Sequence, residues 1–289
     1  MEQQDILSMT LPELQAAVQE LSEPKFRAKQ IFNWLHQKRV TDFSEMTTLS
    51  LPFRERLASD FCINRLKIAK RLASSVDDTV KYLYELPDGN YVETVCMQYH
   101  HGTSLCISTQ VGCRMGCRFC ASAIAGFVRN LTPAEMLLQI YETERAQNCK
   151  ISSLVLMGIG EPLDNFDNVL RFLQLLSDPN GYGMSLRHVT ISTCGVVPKI
   201  LELAEQRLGL TLSVSLHCPN DAGRSAIMPI NRSYPIDVLL DACQTYFEKT
   251  GRRVTFEYAV MDQVNSAEQD AAALAERLKG LHAHVNLFP

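Results

Sequence analysis

Apolar positions change their spacing three times along the chain, and each change predicts a different kind of structure. Over residues 8–62 they recur at helical intervals. Thr10-Leu-Pro-Glu13 reads as a helix start, with Thr10 as N-cap and Pro12 in the first turn, and Leu14, Val18 and Leu21 follow on one face. Pro24 breaks this run. A second helix carries Phe26, Gln30, Phe32, Trp34 and Leu35, with Lys25, Arg27 and Lys29 on its polar side; Trp34 reads as a core anchor. A third, Pro52 to Phe61, includes Arg54 and Arg56. These basic residues suit either a solvated helix face or an RNA-contacting one. From Leu66 the pattern alternates. Lys67–Leu72, Thr79–Leu86 and Tyr91–Met97 read as strands, and Pro87-Asp-Gly-Asn90 is a hairpin turn.

Beyond residue 100, short apolar runs alternate with helical stretches. The strands predicted are 104–111, 152–158, 188–193, 211–217, 252–260 and 284–288, and the helices 132–147, 165–177, 197–206, 235–250 and 266–280. Near-continuous apolar strands separated by helices imply a parallel sheet buried on both faces. The expected fold is α/β: a partial (βα)6 barrel over residues 101–289, preceded by a helical domain (1–65) and a β-hairpin extension (66–100).

Composition changes this picture little: 46% hydrophobic and 21% charged residues are ordinary for a globular chain of 289 residues. The net charge of −4 gives no bulk attraction to nucleic acid, so an RNA site has to be a local basic patch. No window is apolar enough to span a membrane, and the polar start Met-Glu-Gln-Gln-Asp5 is unlike a signal peptide. Ten cysteines without such a signal point to a reducing cytoplasm and to metal or redox chemistry.

Three of them fall in Cys113-Arg-Met-Gly-Cys117-Arg-Phe-Cys120, on a glycine-containing loop at the end of a strand. Three close thiolates repel one another unless a cation shares them. Zinc with a distant fourth ligand (Cys96, Cys106 or Cys149), an iron–sulfur cluster with one open iron, and chance core thiols are the readings the spacing permits. The other strand ends carry Gly158-Ile-Gly160-Glu161-Pro162, Ser192-Thr-Cys-Gly195 and Ser215-Leu216-His217. Glycines allow close backbone approach, and the polar side chains supply hydrogen bonds, so these ends together suggest a ligand site. Glu93, inside the second hairpin arm, reads by periodicity as a solvent-facing strand residue.

The cysteine loop resembles the signature of radical S-adenosylmethionine enzymes, and Gly158-Ile-Gly-Glu-Pro162 resembles their motif for the methionine amine. More narrowly, the chain is similar to the RlmN/Cfr family of RNA adenine methyltransferases. The runs that match are Phe26-Arg-Ala-Lys-Gln-Ile31, Val92-Glu-Thr-Val95, Leu105-Cys-Ile-Ser-Thr-Gln-Val-Gly-Cys113, Gly126-Phe-Val-Arg-Asn-Leu131, Met157–Pro162, Val189-Thr-Ile-Ser-Thr193, Ser215–His217, Met228-Pro-Ile-Asn231 and Val285-Asn-Leu287. Gly160-Glu-Pro162 and Gly126-Phe-Val-Arg-Asn130 favour the branch that methylates C2 of adenine over the C8 branch.

The resemblance implies that Cys113, Cys117 and Cys120 hold a 4Fe–4S cluster. It assigns S-adenosylmethionine to Gly160, Glu161, Ser192, Ser215, Leu216 and His217. Glu93 becomes the base that removes the C2 proton, and Cys106 the thiol that resolves an enzyme–RNA adduct by forming a disulfide. C2 is electron-poor and has no acidic proton, which is why a radical route is needed. The implied substrates are adenosine 2503 of 23S rRNA and adenosine 37 of certain tRNAs, the implied electron donor is flavodoxin-like, and the implied state is a cytoplasmic monomer. In the family, a methyl-carrying cysteine follows in an Ala-Cys-Gly-Gln-Leu context. That context does not occur here, and Cys194, Cys218 and Cys243 are poor substitutes. The expectation is a truncated chain that binds the cluster but does not methylate RNA, with an uncovered last strand that favours aggregation. A radical enzyme with another substrate and a non-catalytic RNA-binding remnant are the competing readings.

Overall fold

The computed structural model describes residues 3–289, which form two compact units. The first unit comprises, of the described residues, 3–107, Leu131–Ser152 and Asp167–Ser185. It opens with strand β1 (Gln4–Asp5) and helices α1 (Leu11–Glu20), α2 (Phe26–Asn33) and α3 (Leu51–Asp60). The start of α1 forms as its residues predict: the Glu13 carboxylate accepts from the Thr10 backbone N–H and hydroxyl, each at 2.8 Å. Strand β2 (Phe61–Cys62) returns to pair in parallel with β1, a short ladder that no periodicity signals. A π turn, Trp34–Lys38, extends α2. Trp34 is only half-buried: its Nε1 donates to Thr48 Oγ1 at 2.8 Å, and the Lys38 ammonium sits 3.6 Å from its ring centre. It is therefore a surface clasp and not the core anchor expected, and Leu14, Ile31, Phe32 and Leu57 fill the core instead.

Strands β3 (Lys67–Ala73), β4 (Val80–Glu85), β5 (Tyr91–Tyr99) and β6 (Gly102–Cys106) form an antiparallel run. The turn at Pro87–Asn90 closes as expected, with Gly89 at φ +81°. Tyr82, Tyr84, Val92, Thr94 and Cys96 point to the buried face. Helix α4 (Pro133–Gln147) covers that face, where Thr94 Oγ1 donates to Gln139 Oε1 and Tyr84 bonds Thr143, both at 2.8 Å. Helix α5 (Phe166–Ser177) completes the unit, anchored by Arg171 to Glu13.

The second unit comprises Ser108–Asn130, Ser153–Phe166 and Leu186–Pro289. The strand expected over 104–111 divides in two. Its first part is β6, and its second is β7 (Gln110–Gly112), which pairs antiparallel with β8 (Phe127–Asn130). Between them the backbone turns, because the N–H groups of Thr109 and Gln110 both bond Ile159 O. β7 and β8 bracket the cysteine loop. Strands β9 (Ile151–Leu156), β10 (Val189–Thr193), β11 (Thr211–Ser215), β12 (Val254–Ala259) and β13 (Ala283–Phe288) pair in parallel, in that order. Helices α6 (Val197–Glu205), α7 (Asp221–Ile227), α8 (Ile236–Thr250) and α9 (Glu268–Leu278) connect the later strands. This is the α/β alternation read from the sequence, with α7 added in a segment given no element there. Ile191, Leu212, Val214, Phe256, Ile200 and Leu239 are buried between strands and helices. On β13, Leu287 is 61% exposed. No described helix is long and apolar enough to cross a membrane.

Candidate active site

The second unit holds a cavity of about 430 Å³ at the C-terminal ends of its parallel strands. All three loop cysteines line it, with Gly160, Glu161, Ser192, Ser215 and His217. The residues singled out from the separate strand ends thus meet at one place. Leu216, between Ser215 and His217, is fully buried beneath it.

The local backbone explains why the cysteine loop closes. Gly112 and Gly116 take φ of +72° and +69°, a region that side chains disfavour. A Cβ on Gly112 would lie 1.7 Å from Gly126 O, so only glycine allows β7 to cross the start of β8 here. Cys113 N–H then donates to Gly126 O at 3.0 Å. Burial pushes the Cys117 thiol up to about 12, and the neighbouring Cys120 and Cys113 add to the rise; Cys113 is raised by burial, with Glu161 and Cys120 adding to it. Among the described residues no cysteine is in a disulfide. A set of soft sulfur donors whose ionised forms repel one another fits a shared cationic centre, and an iron–sulfur cluster supplies one. Among the described residues, no three His, Cys, Asp or Glu side chains close around one point as a single metal ion requires.

Glu161 shows what the Gly-Glu-Pro turn is for. Its carboxylate is buried and fixed from two sides, accepting from Leu163 N–H at 3.0 Å and Cys194 N–H at 2.8 Å. Burial raises its pKa despite these bonds, so the carboxylate gains from a cation brought to it. Its own N–H donates to Gln110 Oε1 at 2.9 Å. Gly160, at φ +108°, passes so close to Gln110 that a Cβ would lie 2.6 Å from the Gln110 Cβ.

His217 is also strained, at φ +56°. Its Nδ1 accepts from Ala259 N–H at 3.0 Å, which leaves the proton of the neutral ring on Nε2. Burial lowers its pKa to about 4, with the charge of Arg224 adding to the effect. Phe119, the aromatic before the last loop cysteine, meets the ring edge-on at 4.8 Å, and Phe288 does so at 6.1 Å.

Glu93 and Cys106 belong to the first unit. Glu93 is half-exposed on β5 and accepts from Lys81 Nζ at 2.9 Å. Cys106, at the end of β6, lies opposite Val95 in the register. Val95 is two residues from Glu93, so the two share one face of the antiparallel sheet as diagonal neighbours. The arginines of the N-terminal helices bond backbone carbonyls: Arg27 donates to Thr48 O, Arg54 to Ser44 O and Arg56 to Leu21 O.

Sequence reasoning missed Glu257 and Arg224. Glu257 lines the cavity and is 9% exposed; Ser213 Oγ donates to its Oε1 at 2.6 Å and Asn286 Nδ2 to its Oε2 at 2.8 Å. A carboxylate inside the apolar run Val254–Ala259 was the available signal. Arg224 lay in a segment given no element and is fully buried.

Comparison with known proteins agrees with this geometry. Residues 4–63 match the ribosomal RNA large subunit methyltransferase N-terminal domain, and residues 107–275 match the radical SAM superfamily. A protein of Lachnoclostridium phytofermentans, described as a "probable dual-specificity RNA methyltransferase RlmN", is 51% identical over 99% of this chain and 80% of its own. One of Alkaliphilus oremlandii with the same description is 50% identical over 100% of this chain and 84% of its own. The crystal structure of a radical SAM methyltransferase from Sphaerobacter thermophilus superposes with a TM-score of 0.94 at 39% identity, covering 99% of this chain and 85% of that one. With a cysteine loop, a buried Glu161 and strand-end hydroxyls on one cavity, and relatives of this identity along its length, the chain belongs to the RlmN family of radical S-adenosylmethionine RNA methyltransferases.

Proposed function

We propose that this protein transfers a methyl group to C2 of adenosine, in 23S rRNA and in tRNA, by radical chemistry based on S-adenosylmethionine. The observation that carries the proposal is the single cavity on which Cys113, Cys117, Cys120, Glu161 and His217 converge, in a chain about half identical to dual-specificity RlmN proteins. A 4Fe–4S cluster with S-adenosylmethionine supplies a 5′-deoxyadenosyl radical by one-electron cleavage of the sulfonium.

The chain's own residues hold and orient the reacting groups. Cys113, Cys117 and Cys120 hold the cluster. Glu161, fixed by two backbone N–H groups, pairs with the cofactor's ammonium. Gly160 lets the backbone approach, and Ser192 and Ser215 donate from the ends of β10 and β11. His217 stays neutral and offers Nε2–H while its ring joins Phe119 and Phe288 in an apolar wall. Glu93 takes the C2 proton, and Lys81 holds its carboxylate in place beforehand. Cys106, on the same sheet face, would attack the sulfur of the thioether adduct and form a disulfide with the family's methyl-carrying cysteine, while that sulfur's bond to the RNA-bound carbon breaks and the electron pair passes to the RNA. Residues 1–65 form the RNA-contacting domain, residues 66–100 the hairpin extension and 101–289 the radical core. The protein works in the cytoplasm as a monomer, with a flavodoxin-like electron donor.

The test is genetic and chemical. Disrupting the gene that encodes this chain removes 2-methyladenosine from 23S rRNA and tRNA, read by mass spectrometry of nucleosides. The anaerobically reconstituted chain releases 5′-deoxyadenosine from S-adenosylmethionine under reduction. Retention of 2-methyladenosine in both RNAs overturns the substrate assignment, and zinc without labile sulfide overturns the radical one.

A further inference from the structure

Arg224 heads the fully buried side chains by size. A guanidinium keeps its charge at any ordinary pH, so a buried one needs an anion or a strong reason to be there. Its hydrogen bonds provide geometry but no countercharge. Nη2 donates to Cys194 O at 2.7 Å and Ser215 O at 2.9 Å, Nε to Leu216 O at 3.2 Å, and Nη1 to Asn231 Oδ1 at 2.9 Å. All four acceptors are neutral. The only carboxylate in this chain of bonds is that of half-exposed Asp221, reached through Asn231, whose Nδ2 donates to Asp221 Oδ1 at 2.9 Å.

The place of this charge is informative. Cys194 and Ser215, whose carbonyls Arg224 grips, both line the cavity. The helix that carries it, α7, touches the cysteine loop: Arg118 N–H donates to Ile227 O at 2.9 Å, and a Cβ on Gly116 would lie 3.7 Å from Pro229 just beyond the helix. A permanent cation thus stands beneath the cavity floor, within a dry carbonyl cradle that cannot neutralise it.

We propose that Arg224 is a positioning residue for the iron–sulfur site: it ties the ends of β10 and β11 at the cavity floor and supplies the fixed positive charge that favours the reduced state of a cluster held by Cys113, Cys117 and Cys120. The inference rests on reading the cysteine loop as a cluster site. Reduction adds one electron and no bond forms or breaks, so the centre becomes more negative by one charge. A nearby cation in a low-dielectric setting stabilises that state and raises the reduction potential.

The experiment is an anaerobic redox titration of the reconstituted full chain with a low-potential chemical reductant, followed by the paramagnetic signal of the reduced cluster. In Arg224→Met the reduction equilibrium falls about tenfold, about 59 mV for a one-electron couple. Arg224→Lys, which keeps the charge, stays within about threefold of the parent. Asn231→Asp leaves the guanidinium in place but sets a carboxylate against it, and its potential falls in the same direction as that of the Met variant. Unchanged potentials in the Met and Asp variants overturn the proposal, as does a Lys variant that behaves like Met. If Arg224→Met loads no cluster, Asn231→Asp decides alone, and the parent potential in that variant overturns the proposal. A parent chain that takes up no iron and sulfide sinks the cluster reading and this inference together, which separates that failure from an unmoved potential.

Discussion

His36 shows how far a single residue's burial reaches into solution behaviour. It is fully buried in the first unit, its Nδ1 2.9 Å from Tyr141 Oη and its Nε2 without a partner. Burial lowers its pKa to about 4, whereas an unfolded histidine titrates near 6.5. Between these values the unfolded state binds the extra proton, so stability is full above about 6.5 and is lost as pH falls toward 4. The expected loss is on the order of 3 kcal/mol, and His36→Gln flattens this slope in denaturant melts taken across that window. A slope that persists in the variant places the titration elsewhere. Gly112 is a second such residue. With φ at +72° and Gly126 O in the way of any Cβ, Gly112→Ala costs on the order of 2 kcal/mol and distorts the loop that follows. Iron and sulfide bound after reconstitution fall by at least about half, a deficit absent from Gly89→Ala, whose Cβ meets open space.

Among the elements, the antiparallel run shows how register sorts residues by task. Its inner face, Tyr82, Tyr84, Thr94 and Cys96, is spent on α4. The outer face carries Glu93 and Cys106, and the pairings Lys70 with Leu83 and Lys67 with Glu85 put two exposed lysines of β3 on the same side. An edge strand rich in lysine resists aggregation, but here it also lines the face of the proposed proton acceptor. The double change Lys67→Ala with Lys70→Ala is expected to weaken RNA binding about tenfold and to reduce the salt slope by roughly 1.5, as for two lost phosphate contacts. Release of 5′-deoxyadenosine without RNA stays at the parent rate. Binding isotherms at several salt concentrations check this, and an unchanged slope removes these lysines from the interface. In the N-terminal helices, Arg27, Arg54 and Arg56 each donate to a backbone carbonyl, which fixes their guanidinium groups.

For the whole molecule, cofactor loading and folding are linked in the second unit. Its cavity gathers residues from the cysteine loop, the Gly160-Glu161 turn and the ends of β10 and β11, so a bound cluster ties these segments together. Reconstitution raises the melting temperature, and an iron chelator under reducing conditions returns it to the apo value. Cys117→Ala binds less than about a tenth of the parent iron and melts like the apo parent. A brown, iron-loaded Cys117→Ala protein contradicts the ligand assignment.

What was legible in the sequence is what short-range chemistry dictates. Helix starts at Thr10 and Thr132, the Pro87–Asn90 turn, the alternation of β4 and β5 and the cysteine spacing each depend on a few neighbouring residues. The demand for glycine at 112 and 160 is different, because its cause, the approach of Gly126 and Gln110, is not local. The strand over 104–111 was misjudged because its apolar pattern is continuous while its hydrogen bonds are not: two N–H groups turn aside to Ile159. Trp34 was misplaced because an aromatic signals burial, yet a cation and a hydroxyl hold it at the surface. Only the tertiary structure could bring Glu257 to the cavity or bury Arg224 beneath it. Burial of a charge is decided by which distant carbonyls and thiols surround it, and no window along the chain contains them together.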